Sequence, residues 1–305
     1  MDKISEVSEQ IKLERISKLR VVLILTASYF IVEIVGSLVT NSLALLADAG
    51  HMLTDVGGLA LSLLAIHYTR RKATPQRTYG FYRIEILVSL ANSVALVLLS
   101  IYIFYEGYHH IFQPPEISSI PMTIIGGFGL IINLAGMRIL GGHSHSGHHE
   151  SHEHHEHHEE ENLNIKGARL EVLSDLIGAV GVIITGIIIF TTKFYLADAI
   201  FSIGLALFIL PRTWSLMRKS INILMEGVPS NIDYEEVKNA ILQVKGVTGI
   251  FDLHIWTITS GMDALSAHVV TLDTTKSQAI MLEIRSILEK KFNIIRSTIQ
   301  IETYH

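Results

Sequence analysis

Six apolar stretches dominate this chain, and they restrict its fold more than any other feature. Each is close to the ~20 residues that an α-helix needs to cross the hydrocarbon core of a bilayer. Of all residues 49% are hydrophobic and only 17% are charged, and the mean hydropathy is +0.40. We therefore predict an integral, multi-pass membrane protein. The stretches cover, approximately, residues 21–39, 42–68, 84–105, 120–140, 167–190 and 196–210.

Basic residues predict how these stretches are oriented. Lys and Arg cluster before the first stretch, between the second and third, and after the sixth, whereas the first–second and third–fourth connections contain neither. Because cytoplasmic loops carry the excess of Lys and Arg, both termini and the fourth–fifth connection are expected in the cytoplasm. The polar N-terminal segment is not expected to be a cleavable signal peptide.

The polarity of the chain changes after Gly227, and this change predicts a second domain. The order of its elements is helix–strand–strand–helix–strand, which indicates a small α+β, ferredoxin-like domain with both helices on one face of an open sheet. In the first strand, alternation places Phe251, Leu253 and Ile255 on one face. The elements are predicted near residues 232–245, 247–258, 264–272, 276–292 and 297–303.

The predicted organisation is therefore a membrane all-α six-helix bundle followed by a cytoplasmic α+β domain. Residues 1–20 form a cytoplasmic N-terminal segment and residues 21–218 the transmembrane domain, with a His-rich cytoplasmic loop at 141–164. Residues 219–305 form the C-terminal domain. Because so short a domain buries little core, we expect it to support a homodimer.

Two matched pairs of ionisable residues lie inside the second and fifth stretches. His51 and Asp55 are four residues apart, as are Glu171 and Asp175, so each pair occupies one face of a helix. Both segments also have Leu two, Thr or Ser three, and Gly seven positions after the first member of the pair. Ionisable groups are costly within a bilayer and are functional candidates by default. The two helices are therefore predicted to close on one divalent cation, the transport site.

The types of ligand restrict which metal this site would bind. Four such side chains suit a tetrahedral ion such as Zn²⁺, while three carboxylates leave Co²⁺, Cd²⁺, Mn²⁺ and Fe²⁺ open. Cu⁺ favours thiolates, and the chain has no Cys, whereas Mg²⁺ would not need the His. The alternative is that these groups hydrogen-bond between helices and only hold the bundle together.

The same ligands would couple metal to protons. A metal ligand must be deprotonated to bind, so metal binding expels protons. Imidazole titrates near neutrality, and clustered carboxylates can have raised pKa values. A site that faces the two sides of the membrane in turn could carry metal one way and protons the other.

Four other polar residues within the stretches are weaker candidates. Asp48 precedes His51 by three residues, so it lies near the same face and could support the site or receive the ion on entry. Glu33 and Asn92 could do the same or bond to a neighbouring helix. Asp198 begins the sixth stretch, where hydration lowers the cost of its charge, so we expect a structural role.

Nine of the sixteen His residues lie in the connection between the fourth and fifth stretches. The tract interleaves them with Ser, Gly and Glu, which is too polar to pack, so disorder is expected. Such tracts bind Zn²⁺, Ni²⁺ or Cu²⁺ loosely. We expect a metal collector that transport does not require; the alternative is a merely solvating loop. These residues are His143, His145, His148, His149, His152, His154, His155, His157 and His158.

Three possible ligands fall on the three predicted strands of the C-terminal domain. They are His254, His268 and Glu302. Each alone is more often an ordinary surface side chain, but together they are candidates for a regulatory metal site. Trp256, beside them, is expected to serve packing or an interface.

Four segments resemble the cation diffusion facilitator family, and within it the bacterial zinc, cadmium and cobalt exporters of the CzcD type. The resemblance extends over nearly the whole chain, and the motif in the second stretch is highly specific. The segments are NSLALLADAGHMLTD at 41–55, YGFYRIEIL at 79–87, LEVLSD at 170–175 and DLHIW at 252–256.

The resemblance implies a homodimeric metal/proton antiporter of a bacterial inner membrane, with six transmembrane helices and a metallochaperone-like cytoplasmic domain. It implies a transport site on His51, Asp55 and Asp175, with Glu171 at a fourth place where zinc members often have His. The expected substrates are protons and Zn²⁺, or else Cd²⁺ or Co²⁺. Neither a prosthetic group nor a nucleic-acid partner is expected.

Two other functional classes are weighed against export. An intramembrane metalloenzyme would need a motif such as His-Glu-x-x-His, or a nucleophile with a base, and the stretches contain neither. A membrane metal sensor would signal through the C-terminal domain without flux, but no catalytic or nucleic-acid-binding segment follows the last stretch. We therefore predict a transporter rather than an enzyme.

Overall fold

Six long helices lead the chain in the computed structural model, which describes residues 2–69, 74–140, 176–259 and 261–303. The protein divides into two compact units, which are described separately. The first unit is Met1–Leu64 with Ala91–Trp214, and the second is Ala65–Leu90 with Ser215–His305. The helices are α1 (Asp2–Thr40), α2 (Leu43–Thr69), α3 (Arg83–Phe112), α4 (Ser119–Leu140), α5 (Leu176–Thr192) and α6 (Leu196–Leu224).

Within the described part of the chain, four helices are long and apolar enough to cross a membrane. They are Ile16–Thr40, Arg83–Phe112, Ser119–Gly136 and Leu196–Leu224. Leu176–Thr192 is apolar but shorter over its described length. The α-helical membrane domain predicted from hydropathy is thereby confirmed as a fold class.

Several helices are longer than the apolar stretches that predicted them. α1 begins at Asp2 rather than near residue 21, and α6 ends at Leu224 rather than near residue 210. Hydropathy detects the segment that suits the hydrocarbon core, whereas backbone hydrogen bonding continues through polar residues outside it. α6 also continues past Pro211, whose ring removes one N–H donor without ending this helix.

The first unit buries polar side chains and exposes apolar ones. On α1, Leu38 and Val39 are 71% and 72% exposed, whereas Glu33 is fully buried. Asp198 of α6 is fully buried as well. This distribution suits a protein surrounded by lipid, because polar groups there must find their partners inside the bundle.

Close packing joins α1 to α4 in the first unit. The hydroxyl of Tyr29 on α1 donates a 2.8 Å hydrogen bond to the carbonyl oxygen of Ile125 on α4. A side chain at Gly129, one turn further along α4, would collide with the Tyr29 ring. A glycine is therefore required where the ring crosses, as is common at helix interfaces in membranes.

The second unit contains the predicted α+β domain. Its sheet has the order β1-β2-β3, with β1 and β2 antiparallel and β2 and β3 parallel. Both helices pack on one face, where Val237 and Ile284 meet Leu265 and Val269 in one apolar core. The elements are α7 (Tyr234–Leu242), β1 (Val247–Thr259), β2 (Met262–Thr271), a 3₁₀ turn (Thr274–Lys276), α8 (Ser277–Phe292) and β3 (Arg296–Glu302).

A β-bulge in β1 makes one detail of the prediction wrong. Leu253 and Ile255 face the core as expected, but Phe251 is 45% exposed. The pairing of β1 with β2 shifts between Phe251 and His254, and Asp252 has a φ of +48°. An extra residue in one strand reverses the alternation that precedes it, so Phe251 lies on the opposite face.

Candidate metal centre

α2 carries the first half of the predicted transport site. His51 and Asp48 are each 5% exposed, and Asp55 is half-buried. The helical period places Asp55 one turn from His51 on the same side of the helix. Next to them, the Asn92 amide of α3 packs against Gly57. A Cβ atom at Gly57 would lie only 3.0 Å from Asn92 Nδ2. His51 is therefore enclosed by the bundle, and Asp55 is partly enclosed.

The second half of the predicted site, Glu171 and Asp175, lies outside the described residues, as does the His-rich tract at 143–158. The described part of α5 begins at Leu176, one residue after Asp175. Gly178 then lies against Asp48, because a side chain at Gly178 would collide with the Asp48 carboxylate oxygen Oδ1. The start of α5 is thus in contact with the face of α2 that holds His51 and Asp48.

A third carboxylate reaches this region from α1. Glu33 is fully buried and interacts electrostatically with both Asp48 and Asp55. Tyr29, one turn earlier on α1, also lies near Glu33 and Asp48. The spacing of residues on one helix cannot predict that Glu33 lies near the pair on α2. The sequence indicates only that a single acidic residue interrupts an otherwise apolar stretch.

Asp198 connects α6 to the first turn of α2. Its Oδ1 accepts hydrogen bonds from Ser42 Oγ at 2.6 Å and from the Ala44 amide at 3.2 Å, and its Oδ2 accepts one from the Leu43 amide at 2.7 Å. The first amides of a helix lack partners within it, and a carboxylate satisfies them and favours the helix dipole. The structural role predicted for Asp198 is confirmed, but the expected hydration is wrong, because the side chain is fully buried.

The three candidate ligands of the second unit fall on β1, β2 and β3 as predicted. His268 and Glu302 are joined, with Nδ1 and Oε1 2.8 Å apart, and the Gln300 amide donates to the same oxygen at 2.7 Å. The ring of Phe251 lies 4.9 Å from that of His268. This arrangement orients one imidazole and one carboxylate on the face of the sheet opposite the helices.

His254 lies beside this pair rather than within it. It pairs across the sheet with Ser266, two positions before His268. With half-buried Trp256 it lines a cavity of about 670 Å³ inside the second unit, which is also bordered by an ion pair between Arg83 and Glu226 at 2.6 Å. Among the described residues, no three His, Asp or Glu side chains are placed to hold one metal ion together.

Comparison with known proteins assigns both parts of the chain. Residues 19–225 match the cation efflux transmembrane domain, and residues 229–304 match the cytoplasmic domain of cation efflux proteins.

Relatives match along most of the chain. The metal cation efflux system protein CzcD of Cupriavidus metallidurans is 44% identical over 93% of this chain and 85% of its own. The cadmium, cobalt and zinc/H(+)-K(+) antiporter of Bacillus subtilis is 40% identical over 92% and 86%, and the zinc transporter ZitB of Escherichia coli 35% identical over 91% and 84%.

A solved structure, the metal-bound C-terminal domain of the CzcD transporter from Cupriavidus metallidurans, is 41% identical. It covers 23% of this chain and 99% of its own, with a TM-score of 0.22. The members of this family are transporters and not enzymes. Both domain matches and the long relatives show that the chain belongs to the cation diffusion facilitator family of metal-cation efflux proteins.

Proposed function

We propose that this protein exports Zn²⁺, and also Cd²⁺ and Co²⁺, from the cytoplasm of a bacterial cell in exchange for protons. Metal efflux is the function of its family. The choice of metals is supported by relatives that are named for cadmium, cobalt and zinc and for zinc alone. Proton exchange is supported by the Bacillus relative, which is named as an H(+)-K(+) antiporter of these metals.

The transport site comprises His51, Asp55, Glu171 and Asp175. The observation that carries this assignment is the contact of Asp48 with Gly178. Asp48 lies on α2 one turn from His51, and Gly178 lies on α5 three residues after Asp175. Two helices in contact at that point can direct both pairs at one ion, and one imidazole with three carboxylates suits a tetrahedral divalent metal.

Proton exchange follows from the acid–base chemistry of these ligands. The ion binds from the cytoplasm when the imidazole and carboxylates are deprotonated, and protons arriving from the other side displace it there. The site faces the two sides in turn, so each cycle moves metal outward and protons inward. Both termini are placed in the cytoplasm because the basic residues surround those ends of the helices.

The remaining metal ligands act on the cytoplasmic side. The His-rich tract within 141–164 collects metal near the start of α5. On the C-terminal domain, residues 219–305, His268 and Glu302 supply two ligands of a regulatory metal site, and His254 lies beside them on the neighbouring strand. Metal bound there tightens a homodimer formed by these domains, and it regulates transport to the extent that two states bind it differently.

Flux through the purified protein in liposomes tests the transport site. Asp55→Asn and Asp175→Asn keep the shape of each side chain and remove its charge, and each is expected to abolish Zn²⁺ uptake while the protein stays folded. Glu106→Gln, at the far end of α3, is the matched control and is expected to keep normal flux. Normal flux in either Asp variant would remove the site assignment.

A pH gradient tests the coupling. With the same protein, an imposed gradient that drives protons against the metal is expected to accelerate uptake, and a protonophore is expected to remove that acceleration. If the rate of uptake does not depend on the gradient, exchange for protons is excluded, whereas the proposal of metal transport is unaffected.

A further inference from the structure

The cavity in the second unit has a lining to which the proposed transport cycle assigns no step. Residues 76–83, which connect α2 to α3, form one wall, and strands β1 and β2 form another. Its volume of about 670 Å³ lies within the range of small-ligand pockets, about 300–1,000 Å³. The chemistry of the lining therefore indicates what kind of ligand the cavity suits.

The lining is rich in hydrogen-bond donors. Among the described residues, its Lys, Arg, Asp and Glu side chains are Arg77, Arg83 and Glu226. Arg83 and Glu226 form an ion pair with each other at 2.6 Å, so Arg77 gives the lining a net positive charge. Guanidinium, hydroxyl and indole groups donate hydrogen bonds, and such a set suits a phosphate-type anion. The hydroxyl and indole groups belong to Thr78, Tyr79, Tyr82, Trp256 and Ser266.

The structure fixes both the backbone and the side chain of Arg77. Its backbone amide donates to the Thr74 carbonyl oxygen at 2.9 Å, and its own carbonyl oxygen accepts from the Thr74 amide at 3.2 Å and the Gly80 amide at 2.8 Å. Gly80 has a φ of +71°, which favours a glycine in this turn. The guanidinium lies over the Phe81 ring, 4.6 Å from the ring centre. A guanidinium stacked in this way keeps its edge N–H groups available for the planar recognition of a phosphate.

The cavity adjoins the end of a membrane-spanning helix. Arg83, which lines it, is the first residue of α3, and the apolar stretch of α3 begins at the next residue, Ile84. This wall therefore lies where the hydrocarbon core ends and the lipid headgroups begin. Tyr and Trp favour that interface, and Tyr79 is 54% exposed. The distribution of basic residues assigns this end of α3 to the cytoplasmic leaflet, whose anionic lipids attract them.

We propose that this cavity binds the phosphate headgroup of an anionic phospholipid from the cytoplasmic leaflet, namely phosphatidylglycerol. The Arg77 guanidinium receives the phosphate, and hydroxyl groups of the cavity walls donate further hydrogen bonds. The bound headgroup joins residues 76–83 to the sheet of the C-terminal domain. The described lining contains none of the residues of the proposed transport site, so this binding does not depend on the metal.

The fluorescence of Trp256 measures this binding in the purified full chain. The chain has two Trp residues, so the background variant Trp214→Phe leaves Trp256 as the only indole. Titration with a short-chain phosphatidylglycerol in detergent is expected to change this fluorescence until it saturates. Arg77→Gln keeps the backbone hydrogen bonds of the turn and removes the charge, so it is expected to weaken binding about 10-fold or more.

A matched control separates the cavity from general attraction between basic residues and anionic lipid. Arg138 is an exposed arginine in the last turn of α4 and does not line the cavity. Arg138→Gln in the same background is expected to bind the lipid as the background does. An equal loss of affinity in Arg77→Gln and Arg138→Gln would overturn the proposed site.

Two further ligands identify the source of the phosphate. Short-chain phosphatidylcholine carries a phosphate but no net charge, and it is expected to bind about 5-fold more weakly than phosphatidylglycerol. Inorganic phosphate is expected to give no saturable change over the same range of concentration. If inorganic phosphate saturates the response as readily as phosphatidylglycerol does, the ligand is a soluble anion and the proposal of a lipid is overturned. The proposal is also overturned if no ligand changes the fluorescence of Trp256.

A second pair of variants applies if Arg77→Gln does not fold. Arg77→Lys keeps the charge but loses the planar donor groups, and Ser266→Ala removes one hydroxyl donor from the opposite wall. Each is expected to weaken binding of phosphatidylglycerol about 3-fold, as the loss of one hydrogen bond does. Unchanged binding in both variants would overturn the proposal.

Discussion

Gly58 and Gly178 occupy the same place in the two matched segments, seven residues after His51 and Glu171. A side chain at Gly58 would meet nothing within 4 Å, whereas one at Gly178 would collide with Asp48. Gly178→Ala is therefore expected to cost about 1–3 kcal/mol by overpacking and to reduce flux by displacing Asp48. Gly58→Ala, the matched control, is expected to gain up to about 1 kcal/mol in helix stability and to transport normally.

Thermal unfolding and Zn²⁺ flux of the two glycine variants in liposomes provide the measurement. Equal behaviour of the two would show that the contact between Asp48 and Gly178 has no functional weight. The repeated spacing in the sequence predicts both glycines but cannot distinguish them, because the difference depends on which helix lies opposite.

The same limit explains which single residues could be predicted. His51 and Asp48 share a face by helical spacing, and their burial follows from the local pattern alone. Glu33 and Asp198 act on residues of other helices, and no local pattern indicates those partners. Hydropathy predicts Asp198 near the edge of an apolar stretch. In the structure it is buried, because it accepts hydrogen bonds from the first amides of α2, which have no acceptor within their own helix.

At the scale of whole elements, the first turn of α2 depends on a carboxylate from α6. In Asp198→Asn, one of the two acceptor oxygens becomes an amide donor, which would face either the Leu43 N–H or the Ala44 N–H. A buried donor left without an acceptor costs about 1–3 kcal/mol, so this variant is expected to unfold at lower temperature and to transport more slowly. Ser42→Ala removes the hydrogen bond from Ser42 Oγ to Asp198 and the one from the Leu45 amide to Ser42 Oγ. It leaves both Asp198 oxygens as acceptors for the amides and is expected to cost only about 1 kcal/mol, as loss of a capping side chain typically does.

Unfolding followed by size-exclusion chromatography after heating, together with flux at saturating Zn²⁺, distinguishes these two variants. If the Asp198→Asn protein is as stable as the Ser42→Ala protein, the first turn of α2 does not need two acceptor oxygens at position 198.

The order and type of elements could be predicted well because each has a strong period. The helix–strand–strand–helix–strand order of the second unit follows from alternation and amphipathic spacing. The bulge at Asp252 could not be predicted, because the composition of β1 does not show which residue leaves the regular pairing with β2. Because of this bulge, Phe251 and Leu253 lie on opposite faces of the sheet, and the Phe251 ring contacts that of His268.

At the scale of the whole molecule, the His-rich tract is expected to matter only when metal is scarce. Replacing residues 143–158 by a Gly/Ser linker of equal length is expected to raise the apparent KM for Zn²⁺ and to leave the maximal rate unchanged. The physical reason is that a loose collector raises the local metal concentration without touching the transport site. Initial rates of uptake over a range of Zn²⁺ concentrations give both quantities. A fall in the maximal rate would instead assign the tract a part in the transport cycle.

The amides of Leu43 and Ala44 donate hydrogen bonds to Asp198, which lies 155 and 154 residues further along the chain. During synthesis, α2 therefore enters the bilayer well before the group that completes its first turn has left the ribosome. The Leu43 and Ala44 amides lack this acceptor until α6 has been inserted, so α2 reaches its final position late in biogenesis. Nascent chains stopped before residue 198 should accordingly be more susceptible to membrane quality-control proteases than chains stopped shortly after α6.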